Sequence, residues 1–168
     1  MILMTLGTVS FPFDRAVLWL KMLIDRGVIS EPVFLQYGYS DVSALKRYPQ
    51  VTLVPTVTLD ELVKLVESSR LVISHAGQGS TRMLAAQGAR FMLLPRLKRY
   101  GEHVDDHQLL FTQAVAPLGI KSFVSLDELE KAVLEPPPYF HKNIFNTPRL
   151  TDYLLVQYPP EKAVVRLS

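Results

Sequence analysis

The sequence predicts an α/β fold, a doubly wound and mainly parallel sheet of about six strands, and three observations carry that expectation. Short apolar runs alternate with helix-length amphipathic segments. The runs are almost continuously apolar, which suits strands covered on both faces. Most of them stop at Gly, Pro, Ser or His shortly before a helix start, so polar and glycine-rich loops gather at the carboxyl ends of the strands.

The first run, 2–6, leads through Gly7 and Thr8 to a helix over 15–25, with Asp14 as its expected cap and Gly27 as its stop. Runs at 33–37 and 51–54 follow. Thr58-Leu59-Asp60-Glu61 then places a hydroxyl three residues ahead of a carboxylate, the pattern of a capping box opening a second helix. The run 71–74 is followed by a glycine-rich loop and a helix expected from Ser80 to Gln87, stopped by Gly88. After the run 91–94, Asp105-Asp106-His107-Gln108 and Ser125-Leu126-Asp127-Glu128 read as two more capping boxes, and 121–124 supplies the sixth strand. Beyond Glu135 the character changes to Pro136-Pro137-Pro138 followed by Tyr139, Phe140, Phe145, Tyr153 and Tyr158. The expected division is therefore a globular domain over 1–135 and a Pro/aromatic-rich extension over 136–168. That extension is read as a strap laid over this domain or a partner, with a disordered tail as the alternative.

Composition narrows the function classes. The 168 residues are 48% hydrophobic and 20% charged, enough for one globular core and too few for two independent lobes. The chain has no cysteine, which excludes a disulfide framework, thiolate metal sites and a cysteine nucleophile, and accords with a reducing compartment. With 18 basic against 16 acidic side chains the net charge is +2, far from the clustered positive field of a nucleic-acid binder, so no nucleic-acid partner is expected. No segment reads as a signal peptide or a membrane span, and the cytosol is the default location.

Three loops carry the candidate chemistry. In Ser74-His75-Ala76-Gly77-Gln78-Gly79-Ser80-Thr81 a buried strand opens through small residues into a helix, where free amides and the helix dipole favour an anion. Gly77 and Gly79 permit close approach, Ser80 and Thr81 add hydroxyls, and His75 can donate a ring N–H to a diphosphate; the alternative is a tight turn around a core histidine. In the loop after 91–94, Arg96, Lys98 and Arg99 can offer positive charge, and Asp106, His107 and Gln108 can hydrogen-bond sugar hydroxyls; a solvated basic loop is the alternative. Gly7 and Thr8 lie on a third loop at the same sheet edge and either help seat phosphates or form an ordinary strand-to-helix connection.

Other chemistries fail on spacing. A dinucleotide fingerprint starting at Gly77 meets Arg82 where a glycine is needed, and neither a P-loop nor a nucleophile elbow occurs. His103 and His107 lie four apart, but Val104 stands where a zinc protease carries its glutamate, so no metal is expected.

Gly7-Thr8, the segment 72–80 and the segment from Pro95-Arg96 through Asp105-Asp106-His107-Gln108 resemble the C-terminal, donor-binding half of family 28 glycosyltransferases. Within them the chain resembles the small catalytic subunits of bacterial two-subunit exopolysaccharide enzymes, relatives of the catalytic subunit of the dolichol-linked N-acetylglucosaminyltransferase. The likeness covers about 1–125 and leaves the extension outside. It implies a Rossmann-like GT-B half that binds a UDP-sugar as substrate, without a cofactor. In that reading the turn containing His75, Gly77, Gln78, Gly79, Ser80 and Thr81 holds the diphosphate and His75 stabilises the leaving group. Asp106, His107 and Gln108 reach the donor sugar, and the segment around Thr56 and Val57 contacts uracil. Family relatives hold the ribose with a glutamate where this chain has Met83, so the ribose is either left without that contact or held by other residues. The resemblance further implies an inverting transfer of a hexosyl group to a lipid-linked saccharide in polysaccharide synthesis. A membrane-anchored partner subunit would bring the acceptor and the general base to the cytoplasmic face of the membrane. A non-catalytic nucleotide-sugar-binding module remains the second reading, and a homo-oligomer is compatible with either.

Overall fold

The computed structural model describes residues 1–140. Five strands, β1 (Ile2–Thr5), β2 (Val33–Gln36), β3 (Val51–Val54), β4 (Leu71–His75) and β5 (Phe91–Leu94), form one parallel sheet in the order β3-β2-β1-β4-β5. Five α-helices connect or follow them: α1 (Asp14–Asp25), α2 (Leu59–Glu67), α3 (Gln78–Ala86), α4 (His107–Val115) and α5 (Leu126–Leu134).

Strand alternation sorts the core into two layers. Ile2, Met4, Leu35 and Ile73 bury one sheet face against Ala16, Trp19, Leu20 and Leu23 of α1 and Leu129 and Val133 of α5. Leu3, Val72, Phe91 and Leu93 bury the other against Val66 of α2, Leu84 and Ala85 of α3 and Val115 of α4. Helices on both faces leave only the strand ends open to a ligand. The strand order reverses between β1 and β4, so the loops leaving their carboxyl ends part and open a crevice.

The expected sixth strand is a correction. Only a single parallel bridge, Leu93 with Ser122, extends the sheet beyond β5, with hydrogen bonds from Leu93 N–H to Lys121 C=O and from Phe123 N–H to Leu93 C=O, both 2.9 Å. Gly119, at φ +96°, turns the chain into this stretch and α5 begins at Leu126, which leaves too few residues for a ladder.

The helix starts are mixed. Thr58 and Glu61 form the expected box: Glu61 N–H donates to Thr58 Oγ1 at 3.3 Å and Thr58 N–H to Glu61 Oε2 at 2.9 Å. Removing the hydroxyl with Thr58→Ala is expected to lower stability by about 1 kcal/mol, read as a shift in denaturant midpoint at unchanged slope. The other expected starts are not met as drawn: Asp14 and Gln108 are taken by loops, and Asp105 accepts from His107 N–H at 3.1 Å without the reciprocal bond from Gln108. Asp14 lies inside α1 and accepts from Asp41 N–H at 3.0 Å, while Phe13 occupies the cap position. Gln108 turns away from Asp105 to accept from Arg96 N–H at 3.1 Å, and Ser125 makes no side-chain cap bond. Helix α3 starts at Gln78, with Gly77 at its cap, earlier than the expected Ser80. The glycine stops hold: Gly27 and Gly88 adopt φ +71° and +62°.

At the start of the Pro-rich extension, Phe140 N–H donates to Ala89 C=O at 3.0 Å and its ring lies 5.7 Å from that of Phe91. The remainder of the expected strap, 141–168, lies outside the described residues.

Candidate functional site

At the switch point lies a cleft of about 200 Å³ whose wall includes Thr5, Gly7, Thr8 and Val9 after β1, Gln36 of β2, Val57 and Leu62, and His75 and Ser80 at the β4–α3 turn. Val57 is shared with a more apolar groove of about 380 Å³ bordered by Phe34, Val54, Thr56 and Leu65. The structure thus gathers Gly7, Thr8, Val57, His75 and Ser80 around one opening, with Thr56 around the next.

The β4–α3 turn explains the small residues. The ring of His75 is wedged between two glycines: a Cβ at Gly7 would sit 2.8 Å from Nε2, and one at Gly77 would sit 2.5 Å from it. Both glycines therefore first make room for the imidazole. Gly79 differs, since a Cβ there would meet nothing within 4 Å. The first intrahelical bond of α3 runs from Thr81 N–H to Gly77 C=O at 2.9 Å, so the amides of Gln78, Gly79 and Ser80 project from the helix end without a helical acceptor. Ser80 lines the cleft. Thr81 does not: its hydroxyl donates to Gly77 C=O at 2.9 Å and the residue is fully buried, so it braces the turn instead of meeting a ligand.

His75 Nδ1 lies 3.4 Å from Thr5 C=O. Burial, and secondarily the charge of Arg96, push its pKa down to about 4, so the ring is neutral near pH 7. A carbonyl facing Nδ1 requires the proton there, which leaves Nε2 as a bare acceptor between the glycines. The expectation that His75 donates to a diphosphate therefore needs an added proton.

Arg96 occupies a different place from the expected one. Its side chain is 0% exposed; Nη1 donates to the carbonyls of Phe11, Pro12 and Glu102 at 2.7, 3.3 and 3.1 Å, and Nη2 to Leu6 C=O at 2.8 Å. Burial lowers its pKa to about 10, which still leaves it charged at neutral pH. A buried guanidinium survives only with partners, and here three of the four carbonyls, those of Leu6, Phe11 and Pro12, belong to the chain around the loop carrying Gly7 and Thr8. Beside it Glu102, 3% exposed, accepts from Arg15 Nε and Nη2 at 2.8 Å each and from Leu97 N–H at 2.8 Å. Lys98 and Arg99 remain exposed.

The Asp-His-Gln element divides in the same way. Gln108 is buried on Arg96 N–H, and Asp106, though exposed, accepts from Lys98 N–H at 2.8 Å. His107 stays exposed, bonded through Nδ1 to Asp105, whose carboxyl that bond holds below the usual carboxylate range. Among the described residues His103, Asp105 and His107 bring potential ligand atoms within 4.8 Å of one another. Internal bonds account for that closeness: His103 Nδ1 accepts from Val104 N–H and Asp105 Oδ1 from His107 N–H. The group reads as a hydrogen-bonded turn, and no clear metal site emerges there. Met83, where relatives carry a glutamate, is half-buried against the α3 side of the core.

Two residues escaped the sequence reading, Gln36 and Gly38. The available signal was a lone amide ending the apolar run Val33-Phe34-Leu35, followed two residues later by glycine.

A parallel doubly wound sheet with free amides at a helix end beside its switch point is a Rossmann-like architecture, one that GT-B half-domains share with other nucleotide-binding folds. Residues 1–138 match the glycosyltransferase family 28 C-terminal domain, and the chain belongs to that family. Among solved structures it is similar to the glycosyltransferase SnogD from Streptomyces nogalater, with TM-score 0.55 and 21% identity over 80% of this chain and 34% of that one. It is also similar to the glycotransferase of kitacinnamycin, with TM-score 0.56 and 19% identity over 79% and 34%. MurG from Acinetobacter baumannii gives 0.50 and 20% over 76% and 39%. At these identities the likeness is one of fold, and the chain spans little more than a third of those proteins. No curated protein matches the sequence.

Proposed function

We propose that this chain is the donor-binding catalytic subunit of an inverting, UDP-sugar-dependent hexosyltransferase. It would act on a lipid-linked saccharide acceptor in polysaccharide synthesis, together with a membrane-anchored partner subunit at the cytoplasmic face. The observation that carries the reading is the end of α3, where three amides free of helical acceptors stand beside Ser80 and His75 at the mouth of the switch-point cleft. Sugar transfer builds negative charge on the departing diphosphate, and preorganised amides at a helix end stabilise such charge without reorganisation. Val57 and the neighbouring apolar groove offer a face for the base. In this reading the partner subunit also supplies the general base; among the described residues the cleft itself has no carboxylate in its wall. Among the described residues no helix is long and apolar enough to cross a membrane, and in this reading the partner subunit supplies the anchor.

Gly79→Ala tests the site apart from the fold. Space is open at Gly79 and the position is helical, so alanine should leave stability equal or raise it by up to about 1 kcal/mol. The added methyl covers the exposed amides, and calorimetric titration should show UDP affinity reduced at least about tenfold, near 1.4 kcal/mol. Undiminished UDP binding in this variant removes the helix end as the diphosphate site. A cleft wall with no carboxylate among the described residues also suits a second reading, a non-catalytic nucleotide-sugar-binding or regulatory module. Sugar transfer on reconstitution with the partner and a lipid-linked acceptor supports the first reading; UDP affinity without turnover supports the second.

A further inference from the structure

Gln36, the last residue of β2, is 3% exposed and its amide is spent on main chain. Oε1 accepts from Gly7 N–H at 3.1 Å, and Nε2 donates to Gly7 C=O and to Pro55 C=O, each at 2.9 Å. Next to it Gly38 N–H donates to Pro55 C=O at 3.0 Å, and Gly38 lies so close to Gly7 that a Cβ on it would come within 2.3 Å of Gly7 C=O. These contacts join two loops that the sheet itself cannot hold together. β1 and β3 are not neighbours, because β2 lies between them, and the backbone bonds just past the strands, Leu6 N–H to Gln36 C=O at 2.9 Å and Tyr37 N–H to Val54 C=O at 3.0 Å, tie each of their loops to the end of β2 and not to each other. Past that point the side chain of Gln36 bonds to both Gly7 and Pro55, and Gly38 packs closely on Gly7 while bonding to Pro55.

We propose that Gln36 is the positioning residue of the donor site. It sets the spacing between the Gly7–His75–Ser80 end of the cleft and the Thr56–Val57 end, so that a nucleoside diphosphate is gripped at both. The inference rests on the UDP-sugar reading above. Although Gln36 borders the cleft, both its amide N–H groups are already donated to main chain, so its effect on a ligand runs through the two loops it joins. Only a primary amide suits the place: it must present one acceptor to an N–H and two donors to two carbonyls, which neither a carboxylate nor a hydroxyl supplies at neutral pH. A misplaced loop reduces the benefit of holding both ends of one ligand while leaving each separate end nearly as good.

The test compares the full chain with Gln36→Glu and Gln36→Asn by calorimetry, using UDP, UMP and inorganic pyrophosphate as probes well below each melting midpoint. Exchange of the Gly7 and Gly38 amides is followed by NMR without ligand. In both variants UDP affinity should fall at least tenfold while UMP and pyrophosphate change less than threefold. Relative to the unaltered chain at the same pH, Gln36→Glu should regain UDP affinity as pH falls through the titration of its carboxyl, because the protonated acid again donates to a carbonyl; Gln36→Asn, one methylene short, should show no such relative gain. Equal losses for all three probes, unchanged UDP binding, or no pH rescue overturns the proposal. If the unaltered chain binds none of the probes, the UDP-sugar reading fails, and the exchange data still decide about Gln36. Joint loss of protection at Gly7 and Gly38 in the variants upholds the bridge between the loops, and unchanged protection refutes it. Should Gln36→Asn fail to fold, the pH series on Gln36→Glu carries the decision alone.

Discussion

Gly38→Ala is expected to lower stability by about 3 kcal/mol or more, the largest loss of any substitution at the cleft rim. Two penalties coincide at this residue. Its backbone sits at φ +59°, a conformation that costs an L side chain about 1–2 kcal/mol. The new Cβ would also lie 2.3 Å from Gly7 C=O, a backbone oxygen that cannot retreat without breaking its bond from Gln36 Nε2. Gly119→Ala isolates the first penalty, since Gly119 adopts φ +96° with nothing within 4 Å of a built Cβ. Chemical denaturation of both variants should show the excess loss at Gly38. Equal losses would mean that the close approach to Gly7 contributes nothing.

The second large effect is a pH dependence centred on His75. Its pKa is about 4 when folded, against an ordinary value of 6.5, so between those values the unfolded chain binds a proton that the folded chain does not. Stability therefore rises with pH across this window. It is complete above about pH 6.5 and falls as the solution is acidified toward pH 4, by a total on the order of 3 kcal/mol. Arg96 is the charged group acting on the ring, and the Thr5 carbonyl opposes it by favouring protonation. Asp41, Glu61 and Asp105 are held below the ordinary carboxylate range by their hydrogen bonds, so their contribution is lost at still lower pH. A His75→Asn variant should remove most of the slope between pH 4 and 6.5, the part left coming from His103, whose pKa burial also lowers, and persistence of the full slope would assign it elsewhere. The same linkage acts on ligands. A diphosphate at Nε2 favours the doubly protonated ring, so UDP binding near neutral pH should take up protons, measurable as a dependence of binding heat on the ionisation enthalpy of the buffer.

What could be read in advance follows a physical division. Apolar runs, glycine stops and the Thr58–Glu61 box are local patterns, and they placed five strands, the helix ends and the crevice. The polar residues beside the glycine-rich loops were harder. Arg96, Thr81 and Gln108 carry donors and acceptors suited to phosphates and sugars, but a loop that leaves a sheet also exposes N–H and C=O groups needing the same partners. Only the folded chain shows which claim prevails, and in all three the backbone wins. The sixth strand failed for a related reason, since an apolar stretch states a preference without stating how many residues lie beside a neighbour. Gln36 was hidden because one amide ending an apolar strand resembles an ordinary strand terminus.

The sheet order carries a last consequence. β1 and β4 have neighbours on both sides, while β3 has one and its residues are only partly covered. Changes at Thr56 and Val57 disturb little packing, whereas changes at Gly7 or Gly77 collide with His75. Mutational drift thus has its cheapest path along one rim of the cleft. A lineage of such domains can exchange the partner of its β3 rim while keeping its anion-facing rim unaltered, much as a tool keeps its handle and changes its bit.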